Sequence, residues 1–180
     1  MTPTDAELIA RSIVGDDRNA FGELVRRHQS CVRNFLRQLT GGDAAQSDDL
    51  AQDTFVQAYR SLARYRGESR FATWLLGIAR NQFRNARRRD FFRAEEPAPE
   101  ELSDGGADPV RAVELRHDLA SALRRLNPDE RMALHLAYDQ GLSHPEIAVV
   151  AGWPIGTVKT NIARGKEKLR KILAPWNPKA

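Results

Sequence analysis

Apolar residues recur along this chain at helical spacing, in segments separated by glycine, proline and short polar breaks. The pattern predicts a short helix over residues 5–14 and a break at Gly15-Asp16-Asp17. A longer helix follows from Asn19 towards Leu39, with Phe21, Leu24, Val25, Val32, Phe35, Leu36 and Leu39 as its apolar positions and Gly41-Gly42 as its close. Ser47 reads as the cap of the next helix, with Asp48 and Asp49 placed favourably against its macrodipole and Ala51, Phe55, Ala58 and Leu62 on its inner face. A fourth helix carries Phe71, Trp74, Leu75, Ile78 and Gln82 on one face. Helix signals vanish from about Arg93 to Pro109, then resume through Val113, Leu115, Leu119 and Leu123 to about Leu126. Asn127-Pro128-Asp129-Glu130 restarts them, with proline at the first helical position and glutamate at the third, leading through Met132, Leu134 and Leu136 to Gly141. No strand signal of any weight interrupts the series, so the expected fold class is all-α.

The stretch from Gly141 to Leu173 specifies one device. Ser143 and Glu146 form an S-x-x-E capping box with Pro145 in the first turn, where a missing N–H costs nothing. Ile147, Val150 and Ala151 give that helix its apolar face, and Gly152 stands where a left-handed helix end is wanted, ahead of Trp153-Pro154. A second helix restarts near Ile155, with Ile155, Val158, Ile162, Leu169 and Leu173 on one side. Thr160, Ala163, Arg164 and Lys171 occupy the other, flanked by Lys159 and Lys168. Two short helices joined by a tight turn, the second basic and amphipathic, make the pattern of a DNA-reading helix-turn-helix. The same geometry also occurs in ordinary bundles with a solvated polar face, so charge placement matters. All five lysines fall between Lys159 and Lys179, where phosphate contacts would hold the helix in a groove.

Charge is uneven over the whole chain. Of 180 residues, 1–95 hold 16 basic and 12 acidic (net +4), 96–114 hold 1 and 6 (net −5), and 115–180 hold 11 and 6 (net +5). Two basic blocks therefore flank an acidic spacer, which predicts a domain over 1–94, a linker over 95–110 and a second domain over 111–180. Basic blocks suit polyanions. Cys31 is the sole cysteine, so no intrachain disulfide is possible, and His28 with Cys31 is too small a set for a metal. No cofactor is expected. No apolar run approaches the roughly 18 residues of a membrane span, and the polar Thr-Pro-Thr-Asp start leads to the expectation of a cytoplasmic protein without membrane insertion.

Three further patterns carry candidate chemistry. Opposite the inner face of the third helix lie Asp49, Asp53, Val56, Gln57 and Arg60, either a solvated face or a docking surface in which exposed valine beside acids suits a basic partner helix. The loop Tyr65-Arg66-Gly67-Glu68-Ser69 could clamp an extruded base on its aromatic, or could simply connect helices with Tyr65 packed on the core. Arg80, Arg84, Arg87 and Arg88 form a stripe extended by Arg89, and like charges at this spacing repel unless anions neutralise them. Phosphates are the economical explanation, with Asn81 able to offer an amide to a base edge.

Taken in order, these residues carry a resemblance. Asp48-Asp49-Leu50-Ala51-Gln52-Asp53-Thr54-Phe55, the Tyr65–Ser69 loop, Phe71-Ala72-Thr73-Trp74-Leu75 and Ile78-Ala79-Arg80-Asn81 resemble the promoter-melting domain of extracytoplasmic-function sigma factors of the sigma-70 family. Gly141-Leu142-Ser143, Glu146-Ile147-Ala148 and Pro154-Ile155-Gly156-Thr157-Val158-Lys159 are similar to the −35-reading domain of that family. The resemblance covers nearly the whole chain. It implies that Asp48, Asp49, Gln52, Asp53, Val56, Gln57 and Arg60 dock on the clamp helices of the RNA polymerase largest subunit. It implies that Tyr65, Arg66, Ser69, Arg80, Asn81, Arg84, Arg87 and Arg88 hold the −10 element. Thr157, Lys159, Thr160, Ala163, Arg164 and Lys168 would contact the −35 duplex, and the acidic linker would thread towards the RNA exit path.

The implied activity is that of an alternative sigma factor without an active site, whose partners are core RNA polymerase (clamp helices and flap region), promoter DNA and an anti-sigma factor. Departures from the family pattern fall on the reading helix. Thr160-Asn161 stands where Ser-Arg is frequent, and Ala163 stands where an aromatic or histidine is common, which bears on the −35 sequence preferred. Two rival readings share parts of the argument: a stand-alone helix-turn-helix regulator with an N-terminal sensing domain, and an enzyme acting on DNA. The second would need a nucleophile or metal cluster, yet His28, His117, His135 and His144 are scattered and no acidic triad is apparent.

Overall fold

The computed structural model describes residues 2–93, 121–123 and 125–174. The predicted linker and most of the helix expected up to Leu126 lie outside the described residues. Every regular element among the described residues is helical. The chain divides into two compact units, Met1–Ser103 and Asp104–Ala180.

In the first unit, α1 spans Asp5–Val14 as expected, started by a capping box in which Thr4 accepts from Glu7 N and Glu7 accepts from Thr4 N at 2.6 Å. Asp17 caps α2 (Arg18–Leu39), accepting from Asn19 N and Ala20 N, while Arg11 holds its other carboxylate oxygen at 2.7 Å. Helix α3 (Ala44–Ser61) begins a turn earlier than expected, because Asp43 caps it by accepting from Gln46 N at 2.9 Å. Ser47, the predicted cap, is instead buried one turn inside, its hydroxyl donating to the Asp43 carbonyl beside Thr40. A 3-10 turn (Leu62–Arg64) and a loop then lead to α4 (Phe71–Arg93).

Helices α2, α3 and α4 pack on one another around Leu24, Val32, Phe35, Leu36, Ala58 and Leu75, with α1 laid against α2. Two predicted faces are rotated. On α3 the buried set is Leu50, Ala51, Thr54 and Ala58, and Phe55 moves to the edge. On α4, Leu76 and Ala79 are fully buried with Phe71 and Leu75, while Trp74, Ile78 and Gln82 are half-buried. Each helix here is covered from two sides, so a residue next to the predicted stripe is enclosed as well.

In the second unit, α5 (Pro128–Leu134) starts with the expected capping box, Asn127 accepting from Glu130 N at 2.7 Å and Glu130 accepting from Asn127 N. The predicted run to Gly141 is not a uniform α-helix. It widens to a π turn over His135–Asp139, with Gln140 N donating to the His135 carbonyl, before Gly141 takes φ +62°. Burial holds the His135 imidazole below its ordinary range, against the opposing pull of Asp139 at 3.3 Å. The unfolded chain therefore binds the extra proton, so the contribution of His135 is complete above about pH 6.5 and declines as pH falls below it. The melting midpoint of the second unit should drop on acidification, and His135→Leu should flatten that dependence.

Helix α6 (His144–Ala151) carries the predicted Ser143/Glu146 box, with Gly152 left-handed at φ +60°. Helix α7 runs Ile155–Ile172. Ile155, expected on its buried side, is 46% exposed, because the core-facing stripe is Val158, Asn161, Ile162 and Gly165. Gly165 marks the closest approach on that side. A Cβ there would lie 2.8 Å from Leu134 Cδ1 and 3.5 Å from Glu130 Cβ, so α5 crosses α7 at the glycine. Gly165→Val should overpack the crossing at about 1–3 kcal/mol, read as a lowered thermal midpoint for the second unit with the first unchanged.

Candidate nucleic-acid interface and docking groove

Helices α2 and α3 leave between them a groove of about 600 Å3. Phe21, Val25, Ala51, Phe55, Val56 and Tyr59 supply its apolar surface. Val56 is 43% exposed, more than a packing role needs. Tyr59 sits edge-on to Phe21 and donates to Asp16 Oδ1 at 2.8 Å, a bond that raises its phenol pKa. Of the predicted docking residues, Asp48, Asp49, Gln52, Val56 and Arg60 line the groove, while Asp53 and Gln57 are exposed on the same helix outside its lining. Asp48 is committed to Arg33 of α2 at 3.1 Å. The α2 wall escaped the sequence reading, which assigned Phe21 and Val25 to packing; the signal was there in an apolar stripe too wide for one neighbour.

The loop before α4 is closed by its own aromatic. Tyr65 packs against Phe71 at 5.5 Å and Trp74 at 5.3 Å between ring centroids, and its hydroxyl donates to the Ser69 carbonyl. Burial, with Asp5 nearby, holds its phenol pKa above the ordinary value. Of the two roles open to Tyr65, the structure therefore displays the packed one, with the ring still half-buried at the surface. Behind it, His28 meets Phe71 edge-on and Asp5 Oδ2 at 2.7 Å, and Asp5 also holds Arg27 at 3.1 Å. Gly67, at φ +73°, turns the chain where Arg66 is exposed.

The arginine stripe divides. Arg80 is half-buried and already engaged within the fold. Arg84, Arg87, Arg88 and Asn81 are exposed, and among the described residues no acid pairs with these three arginines. Arg87 lies 5.9 Å over the Phe83 ring, a contact that does not neutralise its charge.

On α7, Thr157, Lys159, Thr160, Ala163 and Arg164 are all exposed. Thr160 Oγ1 donates back to the Gly156 carbonyl at 2.9 Å. Lys168 differs from the rest of the predicted set: its ammonium lies 2.8 Å from Glu130 Oε2, an intramolecular partner. A cleft of about 710 Å3 on the opposite flank joins Tyr138 and His144 to Lys159, Ala163, Lys166 and Arg170. The sequence reading did not single it out, although the spacing of Lys159, Lys166 and Arg170 puts three cations on one helical edge. Among the described residues no group of three histidine, cysteine or carboxylate side chains could hold a metal, and no helix is long and apolar enough to cross a membrane.

Comparison with known proteins follows the same two units. Residues 24–91 match the family model of Sigma-70 region 2, and residues 116–169 that of Sigma-70, region 4. The chain is 34% identical to the RNA polymerase sigma factor NccH of Alcaligenes xylosoxydans xylosoxydans, over 95% of this chain and 96% of that one. It is also 34% identical to the ECF RNA polymerase sigma-E factor of Escherichia coli K12, over 96% and 95%. Among solved structures, CnrH in complex with the cytosolic domain of CnrY is 30% identical, with a TM-score of 0.66 over 95% of this chain and 97% of that one. The sigma factor RpoE in complex with the anti-sigma factor NepR from Bartonella quintana is 25% identical, with a TM-score of 0.70 over 86% and 96%. Because these likenesses run through both units in the same order, and not through the helix-turn-helix alone, the chain belongs to the extracytoplasmic-function sigma factors of the sigma-70 family and is an alternative RNA polymerase sigma factor.

Proposed function

We propose that the three surfaces divide the work of promoter-specific initiation. The α2/α3 groove, with Asp49, Gln52, Val56 and Arg60 on its α3 wall, docks on the clamp helices of core RNA polymerase. Arg66, Ser69 and the exposed Asn81, Arg84, Arg87 and Arg88 hold the −10 strand, and Thr157, Lys159, Thr160, Ala163 and Arg164 read the −35 duplex. The observation that carries this reading is the coexistence, on one chain, of a mainly apolar groove edged by Asp48, Asp49 and the arginines Arg18, Arg33 and Arg60, and two separate cationic helix surfaces. A stand-alone regulator needs only one of these, and its likeness to sigma factors would stop at the second unit.

An initiation factor of this kind is regulatory and does no chemistry of its own. It acts on polymerase in the cell interior, in our reading the cytoplasm. Both solved relatives above are complexes, one with an anti-sigma factor and one with a cytosolic domain of CnrY. We infer an anti-sigma partner for this chain too, competing with polymerase for the groove. Co-elution of the purified chain with bacterial core RNA polymerase tests the docking assignment. A stable complex that initiates at defined promoters is expected; a chain that binds duplex DNA but not polymerase would overturn it.

A further inference from the structure

We propose that Lys168 is a positioning residue: its ion pair with the buried Glu130 locks the roll of α7 against α5 and so aims the reading face, and Lys168 is not itself a phosphate contact. The inference rests on the assignment of α7 as the −35 reader. The Glu130 side chain is 2% exposed, and a carboxylate so enclosed is stable only when its oxygens are paired. Its Oε2 accepts from Lys168 Nζ at 2.8 Å and from Asn127 N at 3.2 Å, so one oxygen serves both the cap of α5 and the tether to α7. Lys168 could swing to a phosphate only by abandoning a charge in the core, whereas Lys159 and Arg164 have no such partner among the described residues.

The tether sits where it has most leverage. Gly165, one turn before Lys168, brings α7 against Leu134 and Glu130 with no Cβ between them, so the crossing is close but smooth. A glycine contact resists approach and does not resist rolling. At an outer radius of about 5–6 Å, a roll of roughly 10° moves a side-chain end by about 1 Å, beyond what base-edge hydrogen bonds tolerate. Beside the packing of Val158, Asn161 and Ile162, the Glu130–Lys168 pair supplies a further rotational stop at this crossing. Lys159, Thr160, Ala163 and Arg164 then project at a fixed angle.

The test uses the full chain assembled with bacterial core RNA polymerase. A promoter duplex is selected by this holoenzyme from a randomised pool, and its binding is compared with that of a duplex scrambled in the −35 block, over a series of KCl concentrations. Lys168→Gln is expected to leave the salt slope unchanged while the preference for the selected duplex falls about tenfold. Glu130→Gln, which can still cap Asn127 N, is expected to lose preference as well, with the double variant no worse than the poorer single. Lys168→Arg keeps the pair and should retain wild-type preference.

A slope reduced by about 0.9 in Lys168→Gln, with Glu130→Gln unaffected, would make Lys168 an ordinary phosphate contact and overturn the proposal. Unchanged preference in both single variants would also overturn it, leaving the pair with a purely structural role. If the wild-type holoenzyme selects no duplex, the DNA-reading assignment fails first, and that failure is visible before any variant is compared.

Discussion

Replacing Asp49 and Asp53 by lysine should abolish co-elution of the chain with core RNA polymerase and leave its helical content and melting midpoint unchanged. Both aspartates are exposed on α3, and neither has an ion-pair partner among the described residues, so the fold loses nothing when they go. Asp48 would be the wrong choice, because it holds Arg33 across the groove. Asp49 lines the groove beside Val56 and Gln52, where a basic partner helix would be met. Like charges brought together at an interface cost several kcal/mol. About 2 kcal/mol at each site weakens binding roughly 30-fold, and the pair should take it beyond detection on a sizing column. Retained affinity would mean that this face is merely solvated.

Arg84→Ala with Arg88→Ala should impair opening of the promoter far more than binding of its −35 duplex. These guanidinium groups are exposed, unpaired by any described acid and one turn apart on α4. Arg80, although part of the same sequence stripe, is half-buried and engaged, so its removal would mix a packing loss with a DNA effect. Each contact to single-stranded phosphate contributes about 0.7 to the salt slope, so the pair should lower it by about 1.4. Permanganate reactivity of the melted −10 thymines should drop at least tenfold at moderate salt, while the second unit binds its duplex as before. Equal loss at both elements would reject the proposed division of labour. Phe83 gives an internal control, since Phe83→Leu removes the ring under Arg87 without removing any charge.

These two outcomes, with the acid sensitivity of His135 and the crossing at Gly165, test different layers of one design. The groove and the arginine surface concern partners, whereas the histidine and the glycine concern how the second unit holds its shape. A variant in one layer should leave readouts of the other alone. That independence is checkable by scoring thermal midpoint and polymerase binding on every variant.

Much of this protein was legible in its residues because the rules that wrote it are local. Asn127/Glu130 and Ser143/Glu146 announce helix starts within four residues, and Gly152 marks a stop that a Cβ would oppose. The order of helices, the helix-turn-helix and the arginine stripe all follow from spacing along one element. Other features depend on what each helix meets. Ser47 is buried because Asp43 caps first, and Leu76 and Ala79 are enclosed because α4 has neighbours on two sides. Phe21 and Phe55 line one groove although α2 and α3 each present them as ordinary core positions. Ile155 is exposed and Lys168 is tethered because of how α7 meets α5: Gly165 lets α5 approach, and the flank of α7 then reaches a glutamate 38 residues away. Periodicity tells a helix which residues are apolar; only the crossing of two helices decides which of them face inward, and which charge finds a partner.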